Sequence, residues 1–224
     1  MTIVVPSKWL EDHLRSSFLQ EYPVRVIPNG VNLSVFNPEK HNTVRERYDL
    51  KGRRIILGVA NIWKKRKALD DFVALSSMIN KNDRILLAGM RNTHKAGIPS
   101  NIIPVEHTRD IDDLVSLYVT SDVFVNPTYA DNFPTTNIES LACGTPVITY
   151  KTGGSQESID ELTGKVVERG NIIALKNAID EVIERGKESY LTPCRIRAER
   201  FYDQNTQYAS YLELFKKRNE VTGT

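Results

Sequence analysis

Val123-Phe124-Val125-Asn126-Pro127-Thr128-Tyr129-Ala130-Asp131-Asn132-Phe133-Pro134-Thr135-Thr136-Asn137-Ile138-Glu139-Ser140-Leu141-Ala142-Cys143-Gly144-Thr145-Pro146-Val147-Ile148 spells a strand, a loop, a helix and a second strand. The apolar run ending at Asn126-Pro127 has the unbroken character of a strand buried on both faces. A polar loop follows, and either Thr135 or Thr136 can cap a helix whose inward face is Ile138, Leu141 and Ala142. Gly144 takes the position just past the helix end. The N-terminus of such a helix opens at the carboxyl edge of the sheet, where free N–H groups and the helix dipole favour a phosphate. Glu139 lies one turn in from Thr135 on the face of that opening, and its carboxylate can accept hydrogen bonds from vicinal hydroxyls such as those of a ribose. Asp131 stands eight positions earlier, in the loop above it.

Outward from this unit the chain keeps alternating. Short β-branched runs are expected to form strands at Ile3–Val5, Val24–Ile27, Arg54–Ala60, Arg84–Ala88, Ile102–Val105, Val123–Asn126, Pro146–Tyr150 and Lys165–Val167. Amphipathic stretches between them predict helices over Lys8–Leu19, Leu69–Ile79, Ile111–Thr120, Thr135–Cys143, Ile172–Glu184 and Asn205–Lys217. The fold class is α/β, a Rossmann-like, mostly parallel sheet with helices on both faces. Ligands of such sheets bind outside the carboxyl ends of the strands, here the loops after Ala60, Val105, Asn126 and Tyr150. Ile27-Pro28-Asn29-Gly30 is the clearest seam. It divides the chain into residues 1–29, a main domain over 30–200, and a final amphipathic helix over 201–224. In that helix Tyr208, Tyr211, Leu212 and Phe215 make one apolar stripe, expected to pack on Leu10, Leu14 and Phe18 of the first helix.

With 224 residues, 40% of them hydrophobic, a mean hydropathy of -0.36 and 30 Lys+Arg against 28 Asp+Glu, the chain can bury a sizeable core and is neither disordered nor collagen-like. No apolar run approaches the roughly 18–20 residues of a membrane span, and Pro6 cuts short the run at Ile3-Val4-Val5, so a cytoplasmic location is expected. Cys143 and Cys194 are expected to be buried, reduced thiols. His13, His41, His94 and His107 show no ligand spacing. Residues Lys51 to Lys67 hold seven basic side chains and no acidic one, so the rest of this +2 chain is net −5. That local excess marks a place for an anion.

Asp131, seven intervening residues, Glu139 and Ser-Leu-Ala-Cys-Gly-Thr-Pro-Val-Ile together resemble the paired-acid motif of the family-four retaining glycosyltransferases of the GT-B fold. Val26-Ile27-Pro28-Asn29-Gly30-Val31-Asn32 with Phe36 and Pro38, Ile56-Leu57-Gly58-Val59-Ala60-Asn61, the basic run to Lys67, Leu86-Leu87-Ala88-Gly89 and Gly153-Gly154-Ser155-Gln156-Glu157 match in order and spacing, so the likeness covers essentially the whole chain. It implies the C-terminal, donor-binding domain of a hexosyltransferase that uses a UDP- or GDP-sugar and needs no cofactor or metal. Glu139 would bind the ribose and Asp131 would face the transferred sugar. The loop Asn132-Phe133-Pro134-Thr135-Thr136 would offer backbone N–H groups to sugar hydroxyls and phosphate. Asn61, Arg66 and Lys67 stand where the family clamps the diphosphate and neutralises the leaving group. The turn Val105-Glu106-His107 stands where the family reads the base. A glycan or lipid-linked acceptor, polysaccharide assembly and contact with the inner face of a membrane, with Trp63 beside Lys64, Lys65 and Arg66, are further family-level expectations.

The sequence departs from the family pattern in several places. Asn61 replaces an arginine, leaving Arg66 to supply the guanidinium. Asp131 is one methylene shorter than the usual glutamate, and Pro134 removes a loop donor. The acceptor-side domain is represented by one strand and one helix at Met1 to Leu19, so the chain is expected to be inactive alone, as either a fragment of a transferase or the partner of a separately encoded N-terminal half. The rival reading is a non-catalytic nucleotide-sugar-binding module or subunit; a sugar-nucleotide epimerase of the same fold is a weaker one. Asp110-Ile111-Asp112 supplies the letters of a metal motif, but acids at that place suit a helix N-terminus. No glycine fingerprint of a dinucleotide enzyme follows any strand, and the acidic balance elsewhere argues against a nucleic-acid groove.

Overall fold

The computed structural model describes residues 1–39, 43–90, 97–106, 108 and 110–222, with side chains to residue 216. The apolar runs form six strands of one sheet: β3 (Arg54–Val59), β4 (Asp83–Ala88), β5 (Ile102–Val105), β6 (Val123–Asn126), β7 (Val147–Tyr150) and β8 (Gly164–Val167). Their order is β5-β4-β3-β6-β7-β8 and every neighbouring pair is parallel. The centre of the sheet is sealed on both faces, with Ile55, Ile56, Leu57, Ile85, Leu86, Val123 and Phe124 wholly buried. That is why these strands read as continuous apolar runs instead of alternating ones. Helices α3 (Leu69–Ser76), α4 (Ile111–Thr120), α5 (Thr135–Ala142) and α6 (Ile172–Arg185) supply the cover. Strand order reverses between β3 and β6, and the crevice outside their carboxyl ends is where such sheets take ligands.

A second, two-stranded parallel sheet joins β1 (Ile3–Val5) to β2 (Val24–Val26) around α1 (Lys8–Arg15). This unit is fastened to the main domain through Glu157, whose carboxylate accepts from the N–H groups of Lys8 and Trp9, both at 2.8 Å, while Ser7 Oγ accepts from Leu10 N–H at 3.2 Å. Three of the four orphan donors at the start of α1 are thereby satisfied. Asn29 adds a bond from Nδ2 to the carbonyl of Phe133 at 3.0 Å.

The structure corrects several expectations. A short helix α2 (Val44–Arg47) and a long one, α7 (Glu188–Tyr202), are absent from the periodicity reading. Pro193 inside α7 reads as a breaker, yet Tyr190, Cys194, Ala198 and Tyr202 recur every fourth residue and are all buried. The apolar stripe of α8 (Gln204–Thr222) is left open, with Tyr208, Leu212 and Phe215 60%, 59% and 56% exposed and Phe18 90% exposed, while Ser210 and Leu214 line a cavity with Val26 and Ile27. The helix is hung from Val31, whose N–H donates to Tyr202 O and whose carbonyl accepts from Gln204 N–H, and this turns Gln207, Ser210 and Leu214 inward. The seven basic residues are not one anion site either. Lys51, Arg53 and Arg54 lie at the amino end of β3, about 20 Å of strand away from Lys64–Lys67, and Arg54 is spent on Asp83 at 2.6 Å. Trp63 does not face a membrane: it is 4% exposed, donates from Nε1 to Ala88 O at 2.9 Å and packs edge-on against Phe72.

Candidate functional site

Two clusters flank the β3/β6 crevice. The first lines a cavity of about 310 Å³ at the ends of β3 and β4, with Ala60, Asn61, Gly89, Thr108, Thr136 and Glu139 among its walls. Gly89 lets β4 end there. Its φ is +83°, and a Cβ at that point would stand 1.7 Å from Ala60 O, so no other residue fits. Glu139 reaches the cavity from the second turn of α5 and is held by Tyr118 Oη, which donates to Oε2 at 3.0 Å. Burial lifts the Glu139 carboxyl above its ordinary range, while hydrogen bonds from Tyr118 and Thr135 pull the other way. Tyr118 is itself fully buried, and burial followed by the Glu139 charge raises its phenol well above normal.

The expected threonine cap of α5 is replaced. Pro134 occupies the cap position in an extended conformation with no side-chain bond, which a residue lacking an N–H can do at no cost to the helix. Thr135 is the first helical residue and its hydroxyl serves Glu139. The N–H groups at the helix opening are thus left uncapped by a side chain.

The second cluster stands where the chain turns after β3 and after β6. Lys67 Nζ pairs with Asp131 Oδ2 at 2.9 Å, and Arg66 donates from Nη1 to Ala130 O at 2.6 Å and to Asp131 Oδ2 at 3.5 Å. The Lys65–Lys67 turn is stitched to the β6 loop by Tyr129 N–H, which donates to Arg66 O at 2.9 Å. Gly154 N–H donates to Asp131 O, and Cβ atoms at Gly153 and Gly154 would stand 2.0 Å from Asp131 O and Asn132 O. The Gly153-Gly154 pair is therefore a close-approach device that presses the 131–132 backbone into place. From Asp131 to Thr136 the chain can span at most about 17 Å, a length suited to one ligand touching both clusters.

Sequence-expected residues fall into three groups. Asn61, Thr136 and Glu139 share the cavity; Arg66, Lys67 and Asp131 share the ion cluster. Asn132 and Thr135 are exposed between them, whereas Phe133 turns its ring inward against Tyr202 at 5.7 Å and Pro134 is buried. Of Val105-Glu106-His107, His107 lies outside the described residues, as do His41 and His94. Asp110 caps α4, accepting from Asp113 N–H at 2.8 Å, as its position at a helix start suggested.

Sequence reasoning missed the polar floor under the site. Asn137, wholly buried, accepts from Asn126 Nδ2 at 2.8 Å and donates to Ser158 Oγ at 2.8 Å and Ser155 Oγ at 3.2 Å; Thr149 bonds Ser155 Oγ at 2.7 Å. This network locks α5 to β6, β7 and the Ser155–Ser158 turn, the same turn that holds α1 through Glu157. Asp71 takes Tyr150 Oη at 2.6 Å and Tyr129 Oη at 3.1 Å behind the ion cluster. An Asn beside Ile138 on the inward side of a helix was the available signal for the first; nothing in the sequence marked Asp71 or Tyr118.

Residues 53–185 match the family described as Glycosyl transferases group 1. Among curated relatives, D-inositol 3-phosphate glycosyltransferase from Mycobacterium sp. (strain KMS) is 25% identical over 176 residues, 73% of this chain and 40% of the relative. The enzyme of that name from Mycobacterium tuberculosis (strain ATCC 25177 / H37Ra) is 27% identical over 178 residues, 71% and 36%. Sucrose-phosphate synthase from Thermosynechococcus elongatus superposes with a TM-score of 0.85 at 25% identity, over 98% of this chain and 59% of that one. Anabaena HepE in complex with UDP and glucose gives 0.82 at 16% identity, over 96% and 63%. The chain therefore spans 36–40% of these curated relatives and 59–63% of these solved structures, and its sheet is the corresponding part of a GT-B fold. With its family profile matched across more than half its residues, this chain belongs to the group 1 glycosyl transferases.

Proposed function

We propose that this chain is the donor-holding part of a retaining sugar transferase, taking a UDP- or GDP-sugar and delivering the sugar to a glycan or lipid-linked acceptor. The observation that carries the reading is Glu139: a desolvated carboxylate on the wall of a nucleoside-sized cavity, one helical turn from an uncapped helix N-terminus, with Lys67 and Arg66 gathered at the next loop. Glu139 accepts from the ribose hydroxyls, the α5 N-terminus and Lys67 take the diphosphate, and Asp131 faces the sugar. As the C1–O bond breaks, the diphosphate keeps the electron pair, and Lys67 with Arg66 stabilises its charge without a metal. Residues 1–29 belong to the acceptor side, so turnover requires a further domain or partner chain, at the inner face of a membrane when the acceptor is lipid-linked. No described helix is long and apolar enough to cross a membrane.

Calorimetric titration with UDP, GDP and their sugars tests this reading. UDP or GDP should bind with a Kd between about 100 μM and 1 mM, or roughly −4 to −6 kcal/mol, unchanged by EDTA. Lys67→Ala should weaken binding, and the chain alone should transfer no sugar to candidate acceptors. Failure of every nucleotide to bind would leave a fold without this function.

A further inference from the structure

Asp131 and Glu139 are partnered in opposite ways. Asp131 faces a lysine and an arginine. Glu139, among the described residues, meets hydroxyls instead: Tyr118 Oη donates to its Oε2 at 3.0 Å, Thr135 supplies a second bond, and no cationic side chain acts on it. A cation beside a carboxylate takes up its charge as well as its lone pairs, whereas a phenol occupies one lone pair and leaves the charge in place. Glu139 therefore presents the 310 Å³ cavity with an anionic acceptor that no charge of the protein compensates.

The phenol that holds this carboxylate is itself fixed at both ends of the residue. The Tyr118 ring is fully buried, with Phe124 of β6 edge-on at 5.4 Å and Phe36 at 6.3 Å. Its carbonyl, in the last turn of α4, accepts from Thr145 Oγ1 at 2.7 Å and from Lys187 Nζ at 3.2 Å. With side chain and main chain both locked, the O–H is held on Glu139. A fixed donor on Oε2, with Thr135 as the second, leaves the carboxylate one orientation and opens its remaining lone pairs to the cavity. Once a nucleoside fills that cavity and excludes water, any of those lone pairs that the ligand does not meet stay unmet, at the cost of a desolvated charge. A site built in this way rejects an analogue that lacks the expected hydroxyl more strongly than an apolar pocket rejects a changed methylene.

We propose that Tyr118 is a positioning residue that makes the site selective for a ribose diol: locked between α4 and β6, it holds Glu139 so that the free lone pairs of the carboxylate meet vicinal hydroxyls in the cavity, and a nucleotide without those hydroxyls is rejected. The proposal rests on the donor-site reading above and goes beyond it by naming the residue that turns a ribose contact into discrimination between ribonucleotides and deoxynucleotides. Tyr118 acts through Glu139 and touches no ligand itself.

Tyr118→Phe tests this, because the change keeps the ring between Phe36 and Phe124 and removes the hydroxyl alone. The probes are UDP and 2′,3′-dideoxy-UDP, or the matching guanine pair where GDP is the nucleotide bound, titrated by NMR so that millimolar Kd values are within reach. Wild-type protein should prefer the ribonucleotide by about 10-fold or more, the worth of hydrogen bonds to a charged acceptor. In Y118F the Kd for the ribonucleotide should rise about 5-fold or more while that for the dideoxy analogue stays within about 2-fold, so that the preference collapses. A residue that served packing alone would weaken both ligands alike. A smaller rise for the ribonucleotide, or a larger one for the analogue, overturns the proposal and leaves the donor site standing. A wild-type preference below about 10-fold does the same without any variant. If wild-type protein binds neither UDP nor GDP, the donor-site reading falls and this inference falls with it.

Discussion

Asp131→Asn should make the protein bind UDP more tightly. In the free structure the cation proposed for the diphosphate is already occupied: Lys67 Nζ is 2.9 Å from Asp131 Oδ2, with the two side chains 16% and 18% exposed. At that separation the Coulomb attraction is about 6 kcal/mol for an effective dielectric near 20. Most of it is offset by lost hydration, since the pair is neither fully exposed, where about 0.2–1 kcal/mol is usual, nor fully buried, where breaking a pair costs about 3–5. A net value of about 1–2 kcal/mol is what an incoming diphosphate must displace, or 5- to 30-fold in affinity. The asparagine is nearly isosteric and the Gly154 N–H bond to the 131 carbonyl is a main-chain contact, so the loop keeps its path. Calorimetry with UDP, which lacks the transferred sugar, reads the released lysine alone; UDP-glucose should gain less, because its glucose loses a hydrogen-bonding partner. Equal or weaker UDP binding by D131N would refute the reasoning and show that Asp131 prepares Lys67 for phosphate instead of competing with it.

Glu139→Gln should lose UDP affinity by about 10- to 100-fold, the worth of hydrogen bonds to a charged acceptor, yet melt higher than wild type at neutral pH. The sign follows from the raised carboxyl. A group whose pKa is higher when folded contributes stability that is fully present below the unfolded pKa and is lost as pH rises through the folded one. The advantage of E139Q in thermal melts should accordingly shrink on acidification, and a constant difference across pH would contradict it. Lys187→Met should cost about 1–3 kcal/mol in urea unfolding: burial pulls this lysine down to about 8, and its Nζ donates to the carbonyls of Tyr118, Val119 and Ser121 at the end of α4, bonds that the methionine cannot make. Since Tyr118 also holds Glu139, K187M should weaken UDP binding in the same preparation.

The physical logic of the site is division of labour between rigid and adjustable parts. Glu139 and the α5 backbone are fixed by Tyr118 and by the buried Asn126–Asn137–Ser155 network, the pre-organisation that the proposed nucleotide site calls for. Lys67, Arg66 and Asp131 stand on two loops whose internal ion pair can be exchanged for a ligand's charge. Glu157 adds a mechanical link, because the turn that receives Asn137 also caps α1 of the N-terminal unit.

The order of strands and helices was legible in the sequence because apolar β-branched runs and 3.6-residue periodicity are local signals, and so was the pairing of Asp131 with Glu139, a matter of spacing along one loop and one helix. By charge alone Lys67 was one among seven, and only the family resemblance set it apart together with Asn61 and Arg66. Which of the seven stand at the carboxyl edge depends on β3 separating Lys51, Arg53 and Arg54 at one end of the sheet from Lys64–Lys67 at the other. Trp63 and the α8 stripe failed for a related reason: exposure is a property of what packs alongside, and a tryptophan among lysines still goes inside when β4 and α3 leave room for its ring. By itself the sequence determined the α/β class, the helix opening toward the strand ends and the carboxylates near it. Tertiary structure alone decided that Lys67 meets Asp131 and that Tyr118 holds Glu139, because each is a contact between segments tens of residues apart that only the closed sheet brings together.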